Sequence, residues 1–348
     1  MTALGFLHPV TLPCDNLGTI RKASLILFSL SACVLAQTAA TLPTDKLISE
    51  PGPAFRILDN ALSSAPAIIA YGDTRFTDPA NVRSTNPKVR RWLVEKIASE
   101  KPAAIVINGD LPLAGDVTND YAVYKTETQI WRDNGIRVFQ TLGNHEFHGP
   151  PQQALENWWN TFPEMRDRRW YAAQIGSRLY VMAIDSDTSL LPESDQGRWI
   201  RQQLTALPAT IDFLLVTMHH PPVADIQTHI TVDHNPRHNE MALRDLFSEM
   251  APKMHARIVV SAGHIHNYER NVVNDVVYLV SGGGGATPYY VERTKDDLFQ
   301  SIAFPNYHYV KFTLLADRLH AEMIRVTDYE ADQPSFQVKD RFDILVKP

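Results

Sequence analysis

Aspartate, asparagine and histidine recur along this chain in short segments. They are Gly72-Asp73-Thr74-Arg75, Gly109-Asp110, Gly143-Asn144-His145-Glu146, His219-His220-Pro221-Pro222 and Gly263-His264-Ile265-His266. Carboxylate, amide oxygen and imidazole are the donors that hold hard and borderline metal ions. No thiolate joins them, because the two cysteines, Cys14 and Cys33, lie near the N-terminus. Oxygen and nitrogen donors without sulfur suit iron, manganese or zinc. Such ions polarise phosphoryl oxygens and lower the pKa of water. The chain has no Gly-x-Ser-x-Gly segment, so a covalent serine route is not expected.

Each segment follows an apolar, strand-like run. Strands are predicted at Ala67–Tyr71, Ala103–Ile107, Ile136–Leu142, Arg178–Ile184, Asp212–Met218, Ile258–Ala262, Val276–Val280, Tyr309–Leu314 and Leu319–Val326. Helical spacing covers Lys88–Ser99, Tyr121–Asp133, Gln196–Leu207 and Asn239–Met250, the first with Val89, Trp92, Leu93 and Ile97 on one face. The alternation predicts an α/β layered domain. Ligands in such folds collect at the carboxyl ends of the strands, where all five segments lie.

Taken together, the segments resemble the calcineurin-like metallophosphoesterase superfamily over about residues 66–290. Gly263–Arg270 (GHIHNYER) resembles the equivalent stretch of purple acid phosphatases, and Gln196 with Trp199 and Ile200 fits the family's Q-x-x-W-[LI] helix. The resemblance implies an αββα sandwich of two mixed β-sheets flanked by helices. It implies one or two metal ions per chain, with Asp110 as the bridging carboxylate. Asn144, His219 and His264 would complete one position; Asp73 and His266 would complete the other. The implied reaction is in-line attack on phosphorus by a metal-held hydroxide. His145 would face the substrate, and Glu146 would orient it. The function so implied is a phosphomonoesterase or phosphodiesterase acting on a small-molecule or macromolecular phosphoester. The alternative on the same fold is a non-catalytic or mononuclear metal- or ligand-binding exported protein.

Two positions depart from the family pattern. The third residue of the first segment, usually histidine in the superfamily and glycine in purple acid phosphatases, is Arg75. Where purple acid phosphatases carry a tyrosine, three residues after the bridging aspartate, this chain has Leu113, so no purple colour is expected. Guanidinium has no lone pair to give. Water, or Asp116, Asp120 or His148, could supply the missing ligand; otherwise that position binds weakly or stays empty. Arg75 is expected to reach a substrate phosphate, with a salt bridge elsewhere as the alternative. Residues 221–240, with His229, His234, Arg237 and His238, either rim the cleft or form a solvated connection. The tryptophans and arginines of Pro150–Tyr171 line a pocket or fill the core.

The 348 residues are 44% hydrophobic and 21% charged, enough for a sizeable core. A formal net charge of −6 offers no nucleic-acid-binding face. Arg21-Lys22 and the apolar run Ala23–Ala36 predict a secretory signal, cleaved after Ala36 or lipidated at Cys33. The protein is then periplasmic, secreted or lipid-anchored, and a lipid on Cys33 is its expected membrane contact. Residues 1–20 read as an N-terminal extension, 37–65 as a linker or lead-in, and 66–348 as the metallophosphoesterase domain.

Overall fold

The computed structural model describes residues 52–229 and 231–348. The expected signal, Cys33 and residues 37–51 of the lead-in lie outside the described residues. Among the described residues, no helix is long and apolar enough to cross a membrane.

Two mixed sheets form the body. The seven-stranded sheet has the order β1 (Phe55–Ile57), β5 (Tyr171–Ile175), β6 (Leu179–Ala183), β7 (Phe213–Met218), β8 (Arg257–Ala262), β10 (Val276–Ser281) and β9 (Tyr268–Val273). The six-stranded sheet has the order β13 (Phe336–Leu345), β12 (Arg318–Val326), β11 (His308–Leu314), β2 (Ala67–Tyr71), β3 (Ala104–Ile107) and β4 (Arg137–Gln140). Strands β2, β3 and β4 run parallel, as do β6, β7, β8 and β10. Strands β2, β3, β6 and β7 are buried along their whole length, which is why they read as unbroken apolar runs.

One apolar cluster joins Ile68, Val106 and Phe312 of one sheet to Val181, Leu215 and Val259 of the other. It extends to Val89, Leu93 and Ile97 of helix α1 (Pro87–Ser99). A second cluster packs α5 (Asp195–Ala206) and α6 (His238–Met250) on the seven-stranded sheet, setting Trp199, Ile200 and Phe247 against Leu214, Val216 and Val260. Helices thus cover both outer faces, and the architecture is the expected αββα sandwich. Helix α1 starts where the Asn86 side chain accepts from the Val89 N–H (3.1 Å), with Pro87 in the first turn.

Several elements differ from expectation. The single helix expected over Tyr121–Asp133 is two, α2 (Thr118–Glu127) and α3 (Gln129–Asp133). At the break, the Thr128 hydroxyl donates to the Tyr124 carbonyl at 2.6 Å, a side-chain bond that competes with the helical ladder. The lead-in contributes β1, paired with β5, so its described part belongs to the sandwich. The Pro150–Tyr171 segment opens with helix α4 (Pro151–Thr161), and Trp158, Trp159 and Trp170 are buried in the core.

Candidate metal centre

His219 immediately follows β7, and four strand ends meet at its Nε2 atom. Asn144 Oδ1 lies 2.9 Å from it, and Asp110 Oδ1 and His264 Nδ1 each lie at 3.2 Å. One ring nitrogen carries at most one proton, so it satisfies at most one of the two oxygens. The crowding of lone-pair atoms around it suits a cation between them. Neighbouring ligands on an ion with bonds of roughly 2.0–2.2 Å stand roughly 2.8–3.6 Å apart, matching these separations. His219 Nδ1 faces the Asn108 carbonyl at 2.9 Å, which takes the ring's N–H and leaves Nε2 bare. Asn108 is itself fixed: Thr217 donates to its Oδ1 and its Nδ2 donates to Ser261, both at 2.9 Å.

A second group forms beside the first from Asp73, Asp110 and His266, with ligand atoms within 4.8 Å of one another. His266 Nδ1 donates to the Thr287 carbonyl. Its Nε2 is buried, faces Asp73 Oδ1 at 3.3 Å, and has no hydrogen-bond partner. An orphaned buried nitrogen among carboxylates is what a missing ion leaves behind. Asp110 borders both groups: Oδ1 points to His219, while Oδ2 meets Arg75 Nη2 at 3.4 Å and His145 Nε2 at 3.7 Å. The donor set therefore fits metal, and Asp110 stands where a bridging carboxylate belongs.

The electrostatics agree with that fit. Burial pushes the Asp73 carboxyl well up, and the neighbouring Asp110 charge adds to it. Burial acts on Asp110 too, but His219, His145, Arg75 and the His145 N–H hold it well below the usual carboxylate range. Burial lowers His145 to about 4 and His266 to about 3, and lowers His264 strongly. These imidazoles are neutral at pH 7 and keep lone pairs for metal.

The backbone is strained where the ligands sit. Asp73, Arg75, Asp110 and His264 have φ of 59°, 45°, 52° and 70°, each costing roughly 1–3 kcal/mol that the packing must offset. The glycines before the ligands allow close approach. A Cβ on Gly143 would lie 2.5 Å from Asp110 Oδ1, and one on Gly263 would lie 2.5 Å from Asp73 Oδ2.

Glu146 departs from its expected role. Its carboxylate accepts the N–H groups of Asp110 (3.0 Å), Leu111 (2.8 Å) and Gly143 (2.8 Å), tying two ligand loops together. The His145 ring is oriented instead by Nδ1 donating to the Leu113 carbonyl at 2.6 Å. Asp116, Asp120 and His148 do not join the Asp73 group. Asp120 accepts from the Ala114 N–H at 2.9 Å, and His148 packs on the His145 ring at 3.9 Å.

The loop after β7 does rim the cleft. Asn144, His220, His234, Arg237 and His264 line a cavity of about 280 Å³. His229 instead pairs with Glu292 at 2.8 Å. Sequence reading missed Tyr289, whose ring stacks on His266 at 4.1 Å and on His234 at 5.1 Å. Its only signal was a tyrosine soon after the glycine run Gly282–Gly285.

A family model described as calcineurin-like phosphoesterase matches residues 68–268. No curated protein matches the chain in sequence. Among solved structures, the chain is similar to a purple acid phosphatase from yellow lupin (Lupinus luteus) seeds, with a TM-score of 0.65 and 16% identity over 85% of this chain. It spans 55% of that protein's length. It is also similar to GAP50, the anchor in the inner membrane complex of Plasmodium (TM-score 0.54, 14% identity, 82% of this chain and 90% of that one). A dimetal phosphatase from Danio rerio gives a TM-score of 0.53 at 14% identity, covering 85% of this chain and 100% of that one. At such identities these likenesses show a shared fold.

Proposed function

The chain belongs to the calcineurin-like phosphoesterase family, and from that premise we propose that it hydrolyses phosphoesters by in-line attack of water. The observation that carries this reading is the convergence of Asp110, Asn144 and His264 on His219 Nε2 within 3.2 Å. These four residues would hold one ion, and Asp73, Asp110 and His266 form the adjoining position. Metal bound at this centre would supply Lewis-acid polarisation of the phosphoester and neutralise charge developing at phosphorus.

The chain's own groups do the rest. Arg75 is mostly buried; its Nη2 contacts Asp110 Oδ2 at 3.4 Å, while its Nε has no partner and is the donor left for a phosphate. His145 is held by Leu113 with Nε2 turned to the cleft, 3.7 Å from Asp110 Oδ2. There it exchanges a proton with the attacking water or the leaving oxygen, and Asp110 stabilises the imidazolium that forms.

A second reading, a non-catalytic binder, is favoured by one observation: Arg75 stands where a metal-binding histidine is usual. Hydrolysis of a chromogenic phosphomonoester and the matching diester with added manganese, iron or zinc separates the two. Turnover that Asn144→Ala abolishes supports the enzyme. No turnover with any of these ions supports the binder.

A further inference from the structure

We propose that the Arg75 guanidinium takes over the charge-balancing place of the second ion, so that this chain holds one divalent ion tightly rather than a pair. The proposal rests on the reading of His219 and its neighbours as a metal position.

The decisive atom is Asp110 Oδ2. A second ion beside Asp110 needs lone pairs of this carboxylate and room near both of its oxygens. Oδ1 faces His219 Nε2 at 3.2 Å, and Oδ2 faces away from it. That oxygen is 3.4 Å from Arg75 Nη2. A guanidinium carries positive charge but no lone pair, so it competes with an ion without helping to hold it.

The Arg75 main chain is held beside Asp110. Its N–H donates to the Asp110 carbonyl at 3.0 Å, and its own carbonyl accepts from Arg90 Nη1 at 3.0 Å. Arg90 is fully buried and held by two 2.8 Å bonds to Glu127. The guanidinium also lies against the Tyr289 hydroxyl, whose ring is stacked on His266. The backbone framework sets where the Arg75 side chain starts, and the contact with Asp110 Oδ2 at 3.4 Å directs the guanidinium into the cleft.

Charge and donor number point the same way. Asp73, Asp110, Arg75 and one divalent ion leave the centre one charge positive. A second divalent ion makes it three, in a region where Asp73, Asp110 and His266 are all buried. Among the described residues, Asp73, Asp110 and His266 are the carboxylate and imidazole donors that gather at the second position. His266 Nε2, buried and unpartnered, keeps that position able to take an ion once the guanidinium is gone.

Metal stoichiometry tests the proposal. Chelator-stripped protein is titrated with Mn²⁺ by calorimetry, and retained manganese is counted after gel filtration. The wild type is expected to retain one ion per chain. Arg75→His removes the charge and adds a donor, and is expected to retain two, with the spin-coupled spectrum of a manganese pair. Arg75→Ala removes the charge only, and is expected to tighten the second binding event at least tenfold. Two ions of similar affinity in the wild type would overturn the proposal. So would a single ion in the wild type and in both folded variants. A wild type that retains no ion, with Asn144→Ala behaving identically, would instead overturn the metal-centre reading beneath it.

Discussion

Removing the Glu146 carboxylate should loosen the centre without touching a ligand. Three buried N–H groups, those of Asp110, Leu111 and Gly143, depend on it. Leaving a buried donor unpaired costs roughly 1–3 kcal/mol. Glu146→Ala therefore loses roughly 3–9 kcal/mol in gross terms. Part of that returns, because the variant no longer buries a carboxylate beside Asp110, whose charge helps to push Glu146 up. A net loss of about 3 kcal/mol or more remains, a large share of a typical stability of roughly 5–15 kcal/mol. Glu146→Gln is more informative. Oε2 serves both Asp110 and Gly143, whereas Oε1 serves Leu111 alone. An amide can place its oxygen at the first pair and orphan one donor, so the expected loss is about 1–3 kcal/mol. Urea denaturation followed by circular dichroism measures both, and a manganese titration reports whether the ligand loops keep their spacing. Stability of both variants within about 0.5 kcal/mol of the wild type, a change typical of surface sites, would refute this role.

Two further outcomes follow from the same structure. His145→Ala should lower kcat on a phosphomonoester roughly 10²–10⁴-fold, the usual range for a positioned proton-transfer group, while the metal content stays as in the wild type; an unchanged kcat would remove His145 from the chemistry. Burial, with Asp225 alongside, raises the Glu269 carboxyl well above its ordinary 4.5. The folded chain then holds a proton that the unfolded chain releases, so stability falls as pH rises above about 4.5, towards the folded-state value. Glu269→Gln, which cannot ionise, should gain stability relative to the wild type as pH is raised from 4 to 8 in urea melts; a difference that does not change with pH would contradict the shift.

The ligands were legible because their placement has a physical cause visible in residue types. Buried parallel strands read as apolar runs, their carboxyl ends face one cleft, and the glycines at Gly143 and Gly263 leave no room for a Cβ beside Asp110 and Asp73. What remained hidden acts through backbone or through long-range placement. Asn108 orients His219 with its carbonyl, and a carbonyl acceptor has no residue signature. Glu146 has the type and position of a residue that orients His145, and only the geometry shows its oxygens turned to backbone N–H groups. Tyr289 reaches the centre from a loop outside every motif. Strand β13 was missed because most of its residues face solvent, so FQVKDRFDIL lacks an apolar run. Strand β1 has only three residues and gains its conformation from pairing with β5.

Anomalous diffraction recorded at the absorption edge of a metal co-purified with the protein bears on all of this. The expected map has a peak within roughly 2.0–2.3 Å of Asp110 Oδ1, Asn144 Oδ1, His219 Nε2 and His264 Nδ1 together. A metal-replete crystal with no peak among those four atoms, or with its metal bound elsewhere, would contradict it.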